Sequence, residues 1–333
     1  MRHGWDTAVA DAFAPYEEEG LLPARVVRVD RGACEAVGPE GRLSARTAAV
    51  AGADPARALC TGDWIAVRVR GDGAEPEVRA VLPRRTAFVR AVSSRRSEKP
   101  ATGQVLAANI DHALVAVSLT ADPDPGRVER FVSLAWASGA QPLVALTKAD
   151  LVPDPVTLGR LVADTGESAP GVPVLAVSAT SGLGLDALYA AVAGGSCVLL
   201  GQSGAGKSTL ANALLGEDVQ DVRAIRDSGG KGRHTTTARD LLPLPAERGG
   251  GVLIDTPGLR GVGLWDAGEG IARAFADVEA LAEGCRFHDC GHGSEPGCAV
   301  LAAVEEGALS VRRLESYRKL LRESAGRGGN VRP

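Results

Sequence analysis

The chain has 333 residues, a net charge of −4 and 45% hydrophobic residues, which excludes a largely disordered protein and predicts two or three packed domains. No apolar run approaches the roughly 18–20 residues that span a bilayer, which argues against a membrane-spanning helix. The first 20 residues lack a charged-then-apolar layout and carry Glu17, Glu18 and Glu19, so no export signal is read and a cytoplasmic location is expected.

In chain order, residues 1–22 read as an N-terminal tail with a weak helical pattern. Short β-like runs follow at 24–29, 34–37, 64–70 and 78–82, broken by glycine-containing turns, and predict a small β-barrel or sandwich. Between residues 25 and 99, 15 Lys and Arg stand against 9 Asp and Glu, a local positive excess that suits nucleic-acid contact. Residues 84–102 are basic and aperiodic and read as a linker or loop. From residue 104, strand-like runs at 111–118, 141–146, 172–177, 197–200 and 251–254 alternate with helical segments such as 127–138 and 186–193. That alternation predicts a mostly parallel sheet flanked by helices. After residue 263 the strands stop, and helical stretches near 271–283 and 309–323 accompany a cysteine cluster. The expected domains are therefore 23–98, 99–262 and 263–333, after the tail at 1–22.

Residues 201–208, Gly-Gln-Ser-Gly-Ala-Gly-Lys-Ser, fit the phosphate-binding P-loop pattern, follow an apolar strand and open a helix. Backbone N–H groups of Gly201, Gln202, Ser203, Gly204, Ala205 and Gly206 can wrap phosphates. Lys207 can reach the β- and γ-phosphates, the Ser208 hydroxyl can ligate Mg²⁺, and the helix from Thr209 presents its positive end. Asp255-Thr-Pro-Gly258 ends a later apolar strand, where Asp255 can hold Mg²⁺ through water and the Gly258 N–H can sense the γ-phosphate.

Thr147-Lys148-Ala-Asp150 follows another strand. A carboxylate there accepts from guanine N1–H and the N2 amino group together, a donor pair that adenine lacks. Lys148 would lie along the base plane, and Ser178-Ala179-Thr180 fits a second base-contacting loop. GTP and GDP are the expected nucleotides. The base-reading loops precede the P-loop here, whereas ordinary small GTPases place them last. The same site forms if the original termini were joined and the chain reopened elsewhere. The Asp255 segment would then lead into the cysteine region and could carry phosphate-dependent movement there.

Cys34, Cys60 and Cys197 sit alone and read as buried free thiols. Cys285, Cys290 and Cys298 lie close together with His288 and His292 between them, which suggests a metal rather than disulfides in a reducing compartment. His112, in an apolar stretch, reads as structural.

These features together resemble the ribosome small-subunit-dependent GTPase A family of bacteria, over about residues 22–321. The likeness rests on the permuted order of TKAD, SAT, GQSGAGKST and DTPG. It rests also on Gly232-Arg-His-Thr-Thr-Thr237, and on Cys285, Cys290, His292 and Cys298 with the following residues 299–307. The resemblance implies a multidomain α/β protein: an N-terminal OB-fold β-barrel, a circularly permuted P-loop GTPase domain and a C-terminal helical zinc-binding domain. It implies Zn²⁺ on Cys285, Cys290, His292 and Cys298, a filled Cys₃His set of the structural kind. It implies that His234 orients the attacking water, since Leu259 stands where a glutamine would act. It implies that the loop with Thr235, Thr236 and Thr237 closes on the nucleotide, one of the three ligating Mg²⁺, with Thr236 the first choice. It further implies an assembly factor for the small ribosomal subunit that binds rRNA and is stimulated by the subunit. RNA contact is expected from the barrel, including residues 84–96, and from Arg312, Arg313, Arg318 and Lys319. A monomer is expected. Two other readings compete: a nucleotide-switched RNA-binding scaffold with little turnover, and a permuted GTPase acting on another ribosomal particle.

Overall fold

Short runs separated by tight turns close on themselves near the N-terminus. Strands β1 (Leu22–Asp30), β2 (Ala33–Gly38), β3 (Gly41–Arg46), β4 (Trp64–Arg68) and β5 (Glu77–Val81) form a barrel in the order β1-β2-β3-β5-β4. In this computed structural model the described residues are 3–50, 52, 54, 55, 57–71, 73–92, 102–216, 240–255 and 267–325. Ala24, Val26, Cys34, Ala36, Ile65 and Val67 fill the barrel interior, the inward half of a two-residue alternation. Strand β3 escaped the sequence reading because only Ala45 along it is buried, so no alternation marks it.

The segment read as a tail packs on the barrel. Helix α1 (Thr7–Glu17) is capped by Asp6, which accepts from the Val9 N–H at 2.9 Å. Its Val9 and Phe13 are buried against Trp64 and Leu82, and Trp5 meets Trp64 edge-on at 5.1 Å between centroids. The Arg25 side chain joins three parts of the chain. It donates to the carbonyls of His3, of Gly62 (3.3 Å) and of Asn109 (2.9 Å), and lies 5.3 Å from the Trp64 ring. Burial lowers its pKa to about 10, still far above neutral, so the charge persists. Gly62 allows this approach: at φ +93° its absent Cβ would sit 2.2 Å from the Ala108 carbonyl oxygen.

The basic stretch after residue 84, read as a loop, is a hairpin in its described part. Strand β6 (Ala87–Val92) pairs antiparallel with β7 (Thr102–Ala108). The surrounding arginines mask the signal of Phe88, which is fully buried. The described arginines of this stretch also make pairs within the protein, Arg85 while remaining exposed. Arg84 grips the fully buried Asp63 through Nε–Oδ1 at 2.7 Å and Nη2–Oδ2 at 2.8 Å, Arg85 pairs with Asp6 and Asp111, and Arg90 donates to Gln104. Residues 93–96 lie outside the described residues. Asp63→Ala would strand the Arg84 guanidinium and should cost about 3 kcal/mol of stability. Urea denaturation checks this, and a loss under about 1 kcal/mol would mark the pair as a surface ornament.

The second layer system is a six-stranded sheet in the order β10-β9-β8-β11-β13-β12. Strands β8 (His112–Ser118), β9 (Gln141–Thr147), β10 (Val174–Ala176), β11 (Ser196–Leu200) and β13 (Val252–Asp255) are parallel, and β12 (Asp240–Pro243) adds an antiparallel edge. Helices α2 (Pro125–Ala137), α3 (Pro155–Ser168), α4 (Leu185–Val192) and α5 (Lys207–Leu215) supply the crossovers. Asp124 and Asp154 cap α2 and α3, each followed by Pro at the first helical position. Strand interiors such as Leu114, Val115, Val144, Ala145 and Val198 are fully buried, as a sheet covered on both faces requires. His112 is half-buried beside Gly195, where a Cβ would come within 2.9 Å of its ring, and burial lowers its pKa.

The expected helix at 271–283 is two short ones, α6 (Gly268–Ala274) and α7 (Ala276–Ala282), broken at the buried Phe275 (φ −116°, ψ 38°). They are followed by α8 (Ala299–Glu305) and α9 (Val311–Ala325). Gly270 lets α6 lie directly on α2, since a Cβ there would be 2.4 Å from the Ser133 carbonyl oxygen. Arg313, expected at an RNA surface, is 3% exposed inside this packing, and Arg312 pairs with Glu129 at 2.9 Å. Lys319 is exposed.

Candidate functional site

Parallel strands place the loops at their carboxyl ends side by side, where open α/β sheets bind ligands. The permuted chain order is immaterial to this. Strand β11 lies between β8 and β13, and β9 between β8 and β10, so the P-loop, TKAD, SAT and Asp255 all leave the same edge.

The P-loop turns sharply at Gly201 (φ +132°), where a Cβ would stand 2.4 Å from the Ala116 carbonyl oxygen. No other residue fits between this loop and β8. Gly206 caps α5 in the left-handed region at φ +80°, and the helix starts at Lys207. The Lys207 ammonium donates to the carbonyls of Gly201, at 2.7 Å, and of Gln202, which holds it against the loop. Ser208 and Thr209 lie on the first turn of α5.

A cavity of about 200 Å³ opens beside the loop, lined by Thr147, Lys148, Asp150, Ala179, Thr180 and Thr209. Ser178, fully buried, donates its hydroxyl to Asp150 Oδ1 at 2.6 Å and accepts from the N–H groups of Thr180 and Ser181. One side chain thus orients the carboxylate and shapes the SAT loop. Lys148, at φ +59°, extends its ammonium to the Gly204 carbonyl at 3.0 Å. Thr147 is 4% exposed, and its hydroxyl donates to the Ala205 carbonyl at 2.8 Å. Thr147, the first residue of the TKAD run and part of the cavity wall, thus ties β9 to the P-loop through its hydroxyl.

Asp255 ends β13 one strand from the P-loop and is exposed. Gly258, His234, Thr235 and Thr236 lie outside the described residues, as does most of the Asp255–Gly258 turn through which movement was expected to reach the cysteine region. The sequence reading missed Arg127, which donates to the Gln202 side chain at 2.7 Å from 75 residues away. No motif links the two.

The structure brings Cys285, Cys290, His292 and Cys298 together, with all four ligand atoms within 4.8 Å of one another. His292 Nδ1 lies 3.6 Å from Cys285 Sγ and 3.5 Å from Cys298 Sγ. His288, the competing imidazole, is exposed and outside the group. Burial raises the Cys285 pKa, but hydrogen bonds from the Val300 and Ala299 backbone and from the Cys298 and Cys290 side chains together leave this thiol below its usual value. His292 sits at φ +53°, a strained backbone that turns its ring among the sulfurs. A tetrahedral set of three thiolates and one imidazole fits Zn²⁺. Cys34, Cys60 and Cys197 are buried away from this group, and burial pushes the Cys34 and Cys197 thiols up to about 12, which makes those two inert.

Comparison with known proteins agrees with this geometry. The family described as RsgA GTPase matches residues 81–265. A protein of Streptomyces coelicolor named small ribosomal subunit biogenesis GTPase RsgA is 68% identical over 97% of this chain and 86% of its own length. A relative of the same name from Opitutus terrae is 44% identical over 99% of this chain and 91% of its own. Among solved structures, YjeQ from Thermotoga maritima superposes with a TM-score of 0.64 at 25% identity, covering 92% of this chain and 99% of that one. YloQ, described as a circularly permuted GTPase, shares the fold with a TM-score of 0.63 at 21% identity, covering 93% and 97%. A family match over more than half of the chain, and relatives this similar over nearly its whole length, show that the chain belongs to the RsgA GTPase family.

Proposed function

We propose that this GTPase hydrolyses GTP as an assembly factor of the small ribosomal subunit, binding rRNA and turning over fastest on the subunit. The observation that carries the reading is the convergence of Lys207, Asp150, Ser178 and Asp255 at one sheet edge from loops in permuted order. Relatives that this chain matches over nearly its whole length are named for small-subunit biogenesis, and the local basic excess of the barrel suits RNA. The described residues include no helix long and apolar enough to cross a membrane. The reading places the protein in the cytoplasm as a monomer.

In this assignment Gly201–Gly206 N–H groups and Lys207 hold the phosphates, and Asp150 reads guanine. Ser208 and Thr236 would hold Mg²⁺ directly and Asp255 through water, and the ion would supply neutralisation of the phosphate charge. His234 orients the water. Cys285, Cys290, His292 and Cys298 hold a structural Zn²⁺. Catalysis needs positioning and charge neutralisation and little else from the protein.

GTP hydrolysis by the purified chain should be slow and rise strongly with isolated small subunits, with large subunits as the control. The stimulation should fall steeply as salt rises, because phosphate contacts release counterions. Stimulation by large subunits alone would redirect the partner. Absence of turnover with either would leave a nucleotide-switched RNA-binding scaffold.

A further inference from the structure

Helix α2 lies between the nucleotide site and the last helix, α9. Two side chains only two positions apart reach in the two directions. Arg127, braced by Asp124 at 2.9 Å, donates to the side chain of Gln202, the second P-loop residue, at 2.7 Å. Glu129 is fully buried, and its carboxylate takes all its described partners from α9: Arg312 at 2.9 Å, Arg313 at 2.8 Å and the Ser316 hydroxyl. Residues two apart on a helix point to nearly opposite sides, so α2 is held from both.

Arg313 makes this junction rigid. Its Nε and Nη2 donate to Asp277 of α7 at 3.1 and 2.8 Å. Nη2 also donates to the Ala274 carbonyl of α6 at 2.8 Å, and Nη1 to Glu129 and, at 3.3 Å, the Ser168 carbonyl of α3. All five donors of the guanidinium fork are thereby used, and the plane lies 4.1 Å from the Phe275 ring. A buried carboxylate cannot leave such a partner without a large desolvation cost. Helices α2 and α9 therefore shift together or not at all. The Arg130–Glu323 pair repeats the tie near the end of α9.

We propose that Arg313, Glu129 and Arg127 form a positioning chain through which α9 sets the P-loop, so that loosening α9 speeds nucleotide release. This rests on the GTP-binding reading of the site. It requires no contact between the C-terminal helices and the nucleotide. By reciprocity, a partner that pulls on α9 alters nucleotide affinity, and nucleotide alters the grip of α9 on that partner.

The test is stopped-flow release of fluorescent GDP from the full chain. Arg127→Ala and Arg313→Lys should each speed release about 5-fold, because lysine keeps the charge but cannot bridge four helices. The double variant should release no faster than the faster single, since both break one connection. Arg312→Ala, on the half-exposed partner of Glu129, should give a smaller acceleration in the same direction and serves if Arg313→Lys fails to fold. Wild-type release rates in Arg313→Lys, or in Arg312→Ala where it stands in, would overturn the inference. So would accelerations that multiply in the double variant. A wild-type chain that held no GDP would overturn the nucleotide reading itself, and the inference with it.

Discussion

Asp150→Asn should weaken GTP binding by about 100- to 1,000-fold and turn the site toward xanthine nucleotides. The carboxylate has one oxygen engaged by the Ser178 hydroxyl at 2.6 Å and retains acceptor capacity toward the cavity that it lines. Guanine presents two donors, N1–H and the N2 amino group. Asparagine faces them with one acceptor and one donor, so a charge-assisted pair is replaced by one neutral bond and one donor–donor clash. Each hydrogen bond to a charged group contributes about 1.5–3 kcal/mol, and the lost pair accounts for the stated range. Xanthine keeps N1–H but carries a carbonyl at C2, which an asparagine amide can serve. Competition binding of GDP and XDP to both proteins checks the exchange. Unchanged GDP affinity in Asp150→Asn would remove Asp150 from base recognition, whatever its place in the cavity.

On the zinc assignment proposed above, Cys298→Ala should abolish metal binding and unfold the C-terminal helices locally. Cys298 is 6% exposed, lies 3.5 Å from His292 and 3.8 Å from Cys285, and its sulfur also caps α8 by accepting from the Leu301 N–H. Residues 283–298 contain no helix or strand, so little besides a few turn hydrogen bonds, such as Arg286 N–H to Gly297 at 3.1 Å, would shape the loop without a metal. Structural zinc sites contribute on the order of 10 kcal/mol of binding free energy near neutral pH, and the loss of one ligand from four forfeits much of it. Metal analysis of the purified variant should fall from about one zinc per chain to near zero, since a three-ligand site no longer closes the tetrahedron. Limited proteolysis should open the region beyond residue 283. Cys197→Ala, at a buried strand position remote in sequence from the group, should retain the metal. Full zinc occupancy in Cys298→Ala would exclude this cysteine as a ligand.

Much of the architecture was legible because it depends on local patterning. Short β-like runs bounded by turns mark β1, β2 and β4 of the barrel, and apolar runs mark the buried parallel strands. What failed were elements whose burial is one-sided or masked by charge. Strand β3 buries a single alanine. Strand β6 hides its buried Phe88 among arginines. Edge strand β12 is four residues long. One basic residue misled for a related reason, since Arg313 looks like RNA-facing charge in sequence and is buried in ion pairs in space.

The chemistry of the site was written in contiguous residues, where a motif states its own geometry. Gly201–Ser208 fits the P-loop pattern because its glycines take the left-handed turns that the loop needs, and Cys285, Cys290, His292 and Cys298 can meet within one short loop. Their permuted order could also be read without coordinates. The partners of these groups could not. Thr147 serving the P-loop, Ser178 aiming Asp150, Arg127 holding Gln202 and Glu129 meeting Arg313 join residues 28 to 184 positions apart. Side-chain pairing over such separations depends on how helices and strands pack, and packing is a property of the folded whole that no local pattern encodes.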